Sequence, residues 1–162
     1  MGSLFVKALL ALLTIPVIFA GVIPIALSSA DPWRGVGYQG AGVIGITIGL
    51  VILLWCVRDF YVSGKGTLAP WAPPKKLVIV GLYRYTRNPM YIGVLIIVAG
   101  IALFSASPYV ALYLLFFAFV FHLRVVLNEE NWLSENFSDE WVKYKAEVSR
   151  WVPKIMSYRE ES

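Results

Sequence analysis

Formal charge is absent from three long stretches of the chain. Ala8 to Ala30 and Gly35 to Val57 each run 23 residues without an Asp, Glu, Lys or Arg, and Asn88 to Leu123 runs 36. A helix needs about 20 apolar residues to cross the hydrocarbon core of a bilayer. The first two stretches each fit one crossing. The third is too long for one, and Ser105-Ala106-Ser107-Pro108 interrupts it near the middle, with Pro108 placed for the first turn of a new helix. The pattern predicts an all-α integral membrane protein with about four transmembrane helices, near residues 8–30, 35–57, 89–105 and 108–127. The last two form a short antiparallel hairpin. Pro16 and Pro24 predict a kinked or loosened first helix. That first run exceeds the usual signal-peptide core of about 7–15 residues, so it is expected to stay as a span.

Beyond the hairpin the period changes. Leu133, Phe137, Trp141, Tyr144, Val148 and Trp151 recur at steps of three or four, which is helical spacing with an aromatic face. This predicts a C-terminal amphipathic interfacial helix within 128–155. A sharper version has that helix packing over a site. Ser138 is a natural cap before Asp139 and Glu140, and Pro153 a natural stop. Residues 58–88 form a long polar connection, and the stretch from Gly64 to Pro74 reads as irregular, water-facing chain. Long loops in small domains are often functional, and this one is expected to cover the mouth of a site.

Composition agrees with the pattern. Of the 162 residues 59% are hydrophobic and 15% charged, where a soluble domain carries about a quarter charged. The length suits one domain. Basic residues concentrate in the 58–87 segment (Arg58, Lys65, Lys75, Lys76, Arg84, Arg87) and in the tail, whereas the 31–34 loop holds only Asp31 and Arg34. The positive-inside rule therefore places both termini and the 58–88 loop in the cytosol, at the inner membrane if the source is bacterial. The net charge of +4 lacks any nucleic-acid motif and suits membrane lipids instead. One cysteine, Cys56, and one histidine, His122, allow neither an intrachain disulfide nor a zinc site. Gly42, Gly49, Gly93 and Gly100 permit close helix packing within or between chains.

The hairpin brings polar residues together. Equal steps from its turn set Tyr91 level with His122, Arg87 with Val126 and Tyr83 with Glu130. The segment from Gly81 to Tyr91 thus meets Glu129 and Glu130 at the cytosolic mouth. Taken singly, each residue has a plain structural role. Arg84 and Arg87 can snorkel to phosphates, the two glutamates can pair with them, the tyrosines can sit in an interface belt, and His122 can bond a neighbouring helix. Asn88-Pro89 is a good helix start. Ionisable groups near hydrocarbon are costly, so their convergence marks a candidate site. His122 and Glu130 are its candidate proton acceptors, with Arg87 beside them as a third catalytic candidate.

These blocks carry a resemblance. Gly81-Leu82-Tyr83, Arg87-Asn88-Pro89-Met90-Tyr91, Glu129-Glu130-Asn131-Trp132-Leu133, then Phe137, Tyr144 and the run from Val148 to Pro153 resemble the isoprenylcysteine carboxyl methyltransferase and phospholipid methyltransferase superfamily. The likeness covers roughly 64–155. It implies an enzyme moving a methyl group from S-adenosylmethionine to a lipophilic acceptor, with S-adenosylhomocysteine as product. The acceptor classes are an isoprenylcysteine-type carboxylate, an amino-phospholipid or a thiol. It implies cofactor contacts at Lys76, Leu77, Val78, Tyr83, Asn88, Pro89, Met90, Tyr91 and Glu129. Glu129 suits an ammonium, and tyrosine faces suit a sulfonium. Two positions depart from the pattern. The family's histidine is Asn88 here, which cannot titrate near neutral pH. Its substrate-side arginine aligns with Val125, which weighs against an isoprenylcysteine carboxylate. Two other readings use the same residues: an NADPH-dependent membrane reductase of the sterol/steroid type, and a non-enzymatic lipid-binding or assembly factor. More arginines at the mouth are expected of the first. Intact Tyr83, Tyr91 and Glu129 count against the second.

Overall fold

A computed structural model describes residues 16–63, 76–155 and 158, without the side chains of residues 60 and 61. The start of the first apolar run and the Gly/Pro-rich stretch from Gly64 to Pro74, including its expected cover over the mouth, lie outside the described residues. Those described form helices and connections, with no strand among them.

Helix α1 covers Ile18–Ala30 and opens with a wide π turn, Ile18–Val22. Pro24 explains the widening: it donates no N–H and its ring crowds the carbonyl four residues back, inside that turn. Helix α2 is Gln39–Ser63, α3 is Pro89–Ser105 and α4 is Pro108–Arg124. A π turn, Val125–Glu129, joins α4 without a break to α5, Glu130–Glu147. Two stretches, Gln39–Asp59 and the apolar part of Pro108–Glu147, are long and apolar enough to cross a membrane, and α1 and α3 are shorter apolar helices. Their outer faces carry exposed Ile44, Val51, Leu54, Leu112, Leu115, Phe116 and Phe119. Such a surface needs lipid, and these are the helices of a membrane protein.

Three element boundaries differ from the sequence expectation. Helix α2 runs on to Ser63, so Asp59 is helical rather than the start of a loop. The helix begun as α4 runs on through the π turn as far as the break at Phe137 and Ser138, and the tail helix starts beyond that break. That tail helix ends at Glu147 instead of Pro153, because Val148 is already extended (φ −104, ψ 126). Ser138, the expected cap, does sit at the break inside α5, with φ 5 and ψ −90, so the start of the tail helix falls where the sequence puts it. The aromatic face of α5 turns onto the protein: Trp141, Tyr144 and Val148 are buried, packed with Leu77 and Ile79.

Helices α2 and α3 lie antiparallel and unusually close. A Cβ at Gly49 would stand 2.6 Å from the Gly93 carbonyl oxygen, and one at Gly100 would stand 2.7 Å from the Ile46 nitrogen. Where lipid removes the hydrophobic drive between helices, such backbone approach maximises dispersion contact. The glycines thus act within this chain. Leu53, Val94, Ile97, Val98, Val110 and Phe117 complete the core between α2, α3 and α4.

A polar clasp fixes the end of the bundle where α3 turns into α4. Ala106 is left-handed (φ 44), Ser107 caps α4 by accepting from the Val110 N–H, and Pro108 follows. The buried Asp31 carboxylate accepts from the Ser107 hydroxyl, from the Tyr109 N–H at 3.0 Å and from the Trp33 N–H at 2.9 Å. Burial opposes its ionisation, yet these donors prevail and hold its pKa below the usual carboxylate value. The clasp sets the register of the hairpin whose other end carries the polar cluster.

Candidate functional site

The opposite end of the hairpin gathers two adjacent glutamates. The π turn Val125–Glu129 adds a residue to the helical turn and so re-aims the side chains that follow it; such bulges frequently mark functional sites. Glu129 turns toward Tyr91. Its Oε1 accepts from the Tyr91 hydroxyl and, at 3.0 Å, from Arg124 Nε. Both contacts fall on one oxygen, and Glu129 is one-third exposed, so its other oxygen can be reached.

Glu130 turns the other way, into the protein. Arg87 Nη1 lies 2.9 Å from its Oε1, and Arg150 grips both oxygens at 2.6 and 2.9 Å. Lys145 stands 3.9 Å off. Burial disfavours the charged carboxylate, but Arg150, Arg87 and Lys145 outweigh it and lower its pKa. Burial also pulls the Arg87 guanidinium down while Glu130 holds it up. A guanidinium starts so high that it stays a cation. Arg87 also lies over the Trp141 ring, 5.4 Å from its centroid. Glu130 is therefore saturated by cations and ill placed to accept a proton.

The chain after α5 lies alongside the chain before α3. Arg87 N–H donates to the Ser149 carbonyl at 2.9 Å, Lys154 N–H to the Tyr85 carbonyl at 2.9 Å and Tyr158 N–H to the Arg84 carbonyl at 3.0 Å. The Thr86 hydroxyl and the Asn88 amide both donate to the Arg150 carbonyl, at 3.2 and 3.1 Å. Asn88 holds the cap position of α3 but gives its side chain to this seam rather than to the helix end. Tyr144 donates to the Tyr83 carbonyl at 2.6 Å, and burial keeps its phenol protonated by raising its pKa.

The sequence-predicted cofactor residues divide. Val78, Tyr83 and Met90 meet around the fully buried Cys56, and Tyr91 meets Glu129. Leu77 packs instead into the Trp141–Tyr144 cluster. Pro89 is buried at the helix start, and Lys76 is exposed. His122 stands apart from the glutamates, and its Nδ1 accepts from Trp151 Nε1 at 3.2 Å. Both line one end of an apolar groove of about 530 Å³ whose walls are Ile92, Leu95, Ile96, Ala99, Leu114 and Ala118. The Trp151 ring also reaches Tyr91, with centroids 6.4 Å apart, so the end of the groove adjoins the Tyr91–Glu129 pair. Sequence reasoning missed the roles of Asp59, Arg124 and Arg150. The fixed ending Arg150-Trp151-Val152-Pro153 was the one available signal for Arg150; the other two show only in three dimensions.

Helices with lipid-facing surfaces and a two-carboxylate mouth define a membrane protein with a polar cluster beside an apolar groove. A model of the phospholipid methyltransferase family matches residues 38–140, and the chain belongs to that family. It is 26% identical over 82% of its length to the nickel-cobalt-cadmium resistance protein NccN of Alcaligenes xylosoxydans xylosoxydans, covering 57% of that protein. It is 26% identical over 75% of its length to the cobalt-zinc-cadmium resistance protein CzcN of Cupriavidus metallidurans, covering 51%. A shorter match, 32% identical over 49% of the chain and 33% of the relative, is to the protein-S-isoprenylcysteine O-methyltransferase of Saccharomyces cerevisiae. The chain thus spans about half the length, or less, of the curated relatives it matches. No solved structure matches it. Among the described residues no three His, Cys, Asp or Glu side chains group as metal ligands.

Residues present at the mouth fit S-adenosylmethionine, the methyl donor the family implies. A reachable carboxylate oxygen suits an ammonium. Tyrosine rings beside it suit a cation, and Val78 and Met90 offer apolar contact for a base.

Proposed function

We propose that this chain is an S-adenosylmethionine-dependent methyltransferase of the membrane, acting on a lipophilic acceptor. One observation carries the reading: Tyr91 hydrogen-bonds Glu129 at the polar mouth while its ring meets Trp151 at the end of the apolar groove. A polar cluster and a lipophilic track therefore adjoin. The remaining details extend the same reading. Four spans cross the bilayer, with α1 and α3 as the shorter two, both termini in the cytosol and the aromatic end of α5 at the interface.

When bound, the methyl donor supplies an electrophilic methyl group on a sulfonium. Glu129 would hold its ammonium, Tyr83 and Tyr91 would offer ring faces to the cation, and Val78 with Met90 would give apolar contact to the base. The groove aligns the apolar chain of the acceptor, and the bilayer excludes water, so positioning supplies much of the rate. The Arg87–Glu130–Arg150 cluster ties the start of α3 to the tail and holds the mouth in shape. It is a positioning element, whereas the groove-end His122 is the group left to take a proton from a thiol or amine acceptor. Doing so requires Trp151 to release Nδ1. The absence of an arginine at Val125 favours an amine or thiol acceptor over an isoprenylcysteine carboxylate. The test is calorimetric binding of S-adenosylhomocysteine to the purified chain, followed by transfer of labelled methyl groups to a membrane lipid extract. Binding and a labelled lipid are expected. No binding and no label would refute the reading.

A further inference from the structure

Asp59 lies near the end of α2, and only 9% of its side chain reaches solvent. Its Oδ1 makes a long 3.4 Å contact with Arg58, whose own side chain is 73% exposed. Its Oδ2 is buried and has no hydrogen-bond partner among the described residues. An unmatched carboxylate oxygen withdrawn from water destabilises a fold, so its presence calls for a reason.

The neighbouring backbone is shaped around that oxygen. Gly81 has φ +54, and a Cβ there would fall 2.0 Å from Asp59 Oδ2 and 3.1 Å from Trp55 Nε1. Only glycine suits both the conformation and the approach. Gly81 opens the short 3-10 turn Gly81–Arg84, which carries Tyr83. Tyr83 packs with Cys56, Val78 and Met90. Through Gly81, Asp59 therefore adjoins the cluster that the proposed function gives to the donor.

We propose that Asp59 binds the methyl donor, its Oδ2 accepting from the ribose hydroxyls. This inference rests on the proposed function. Glu129 already meets the ammonium, so the second carboxylate faces the part of the donor that is rich in neutral hydroxyls. A carboxylate set against a ribose diol is a recurrent match in nucleotide sites. The ribose hydroxyls supply hydrogen bonds that no described residue gives Oδ2.

Two probes separate the ends of the donor. S-adenosylhomocysteine has both ribose and amino-acid end; 5′-methylthioadenosine keeps the ribose and base but lacks the amino acid. Calorimetry on the full chain in detergent is expected to show Asp59→Asn weakening both by the same factor, about ten-fold or more. Glu129→Gln should weaken S-adenosylhomocysteine alone. The ligand-free Asp59→Asn protein should melt at the wild-type temperature or above it, because an unmatched charge has been removed. A merely structural Asp59 would lower melting temperature and affinity together, and failure of the variant to fold is the extreme of that result; either overturns the proposal. So does unchanged affinity for both probes, or a loss confined to S-adenosylhomocysteine, which would move Asp59 to the amino-acid end. Wild-type protein that binds neither probe overturns the methyl-donor reading itself.

Discussion

Arg87 and Glu130, 43 positions apart in sequence, form a 2.9 Å ion pair in which each side chain is less than one-tenth exposed. Removing the Glu130 charge leaves the buried Arg87 facing Arg150 with no anion between them. Breaking a buried pair from one side costs about 3–5 kcal/mol. Glu130→Gln should therefore unfold at a markedly lower temperature, read by thermal melting in detergent. Pairing it with Arg87→Met should recover much of the loss. The pH dependence has a fixed sign. Glu130 is held below its ordinary value of 4.5, so its contribution is complete above that pH and is lost as pH falls through the lowered value. Wild-type protein should show this acid limb and Glu130→Gln should lack it.

The same pair shows how far the sequence could be read. Equal steps from the turn set Tyr91 beside His122, and the Tyr91 ring does pack on the adjacent Phe121, 4.4 Å between centroids. One turn further out the estimate slips: Arg87 meets Glu130 rather than Val126. The π turn Val125–Glu129 shifts the phase of α4, and the chain before Pro89 is not helical, so neither leg keeps uniform steps. Apolar runs and the Ser107-Pro108 start were legible because lipid and capping act locally. The partners of Asp59 and Arg150 were not, since those contacts depend on where α2 ends and how the tail folds back. Length could not reveal that α2 would continue through Arg58 and Asp59 to Ser63.

Glu129 should behave unlike its neighbour. It is one-third exposed and its partner Arg124 is 55% exposed, so the pair adds little stability. Glu129→Gln is expected to melt within about 1 kcal/mol of wild type. It should bind S-adenosylhomocysteine about ten-fold or more weakly, through loss of a charge-assisted bond. Tyr91→Phe removes only the hydroxyl that orients Glu129 and should cause a smaller loss. Calorimetry alongside melting separates the two effects, and equal affinity in Glu129→Gln would remove Glu129 from the donor site.

The α2–α3 contact makes a prediction of its own. At Gly49 a methyl would stand 2.6 Å from the Gly93 carbonyl oxygen and 2.8 Å from the Ile97 nitrogen. Backbone cannot yield as a side chain can, so Gly49→Ala should cost about 1–3 kcal/mol. Gly40, on the same helix, has nothing within 4 Å of its Cβ position. Gly40→Ala should be neutral or slightly stabilising through helix propensity. Melting both variants in one detergent tests whether close approach, rather than glycine itself, is what the helix pair requires.

His122 offers the sharpest view of the acceptor. Its Nδ1 accepts from Trp151 Nε1, so the neutral ring carries its proton on Nε2, and the Nδ1 lone pair is free only when Trp151 moves. A thiol or amine acceptor must lose a proton to become a nucleophile, whereas a carboxylate need not. His122→Gln should therefore lower kcat about a hundred-fold with a thiol or amine acceptor and leave a carboxylate acceptor nearly untouched. Trp151→Phe frees Nδ1 and should raise kcat for the protic acceptors. Measuring kcat for both variants with each acceptor class decides the matter: an equal loss with every acceptor would make His122 a wall of the groove and not a base.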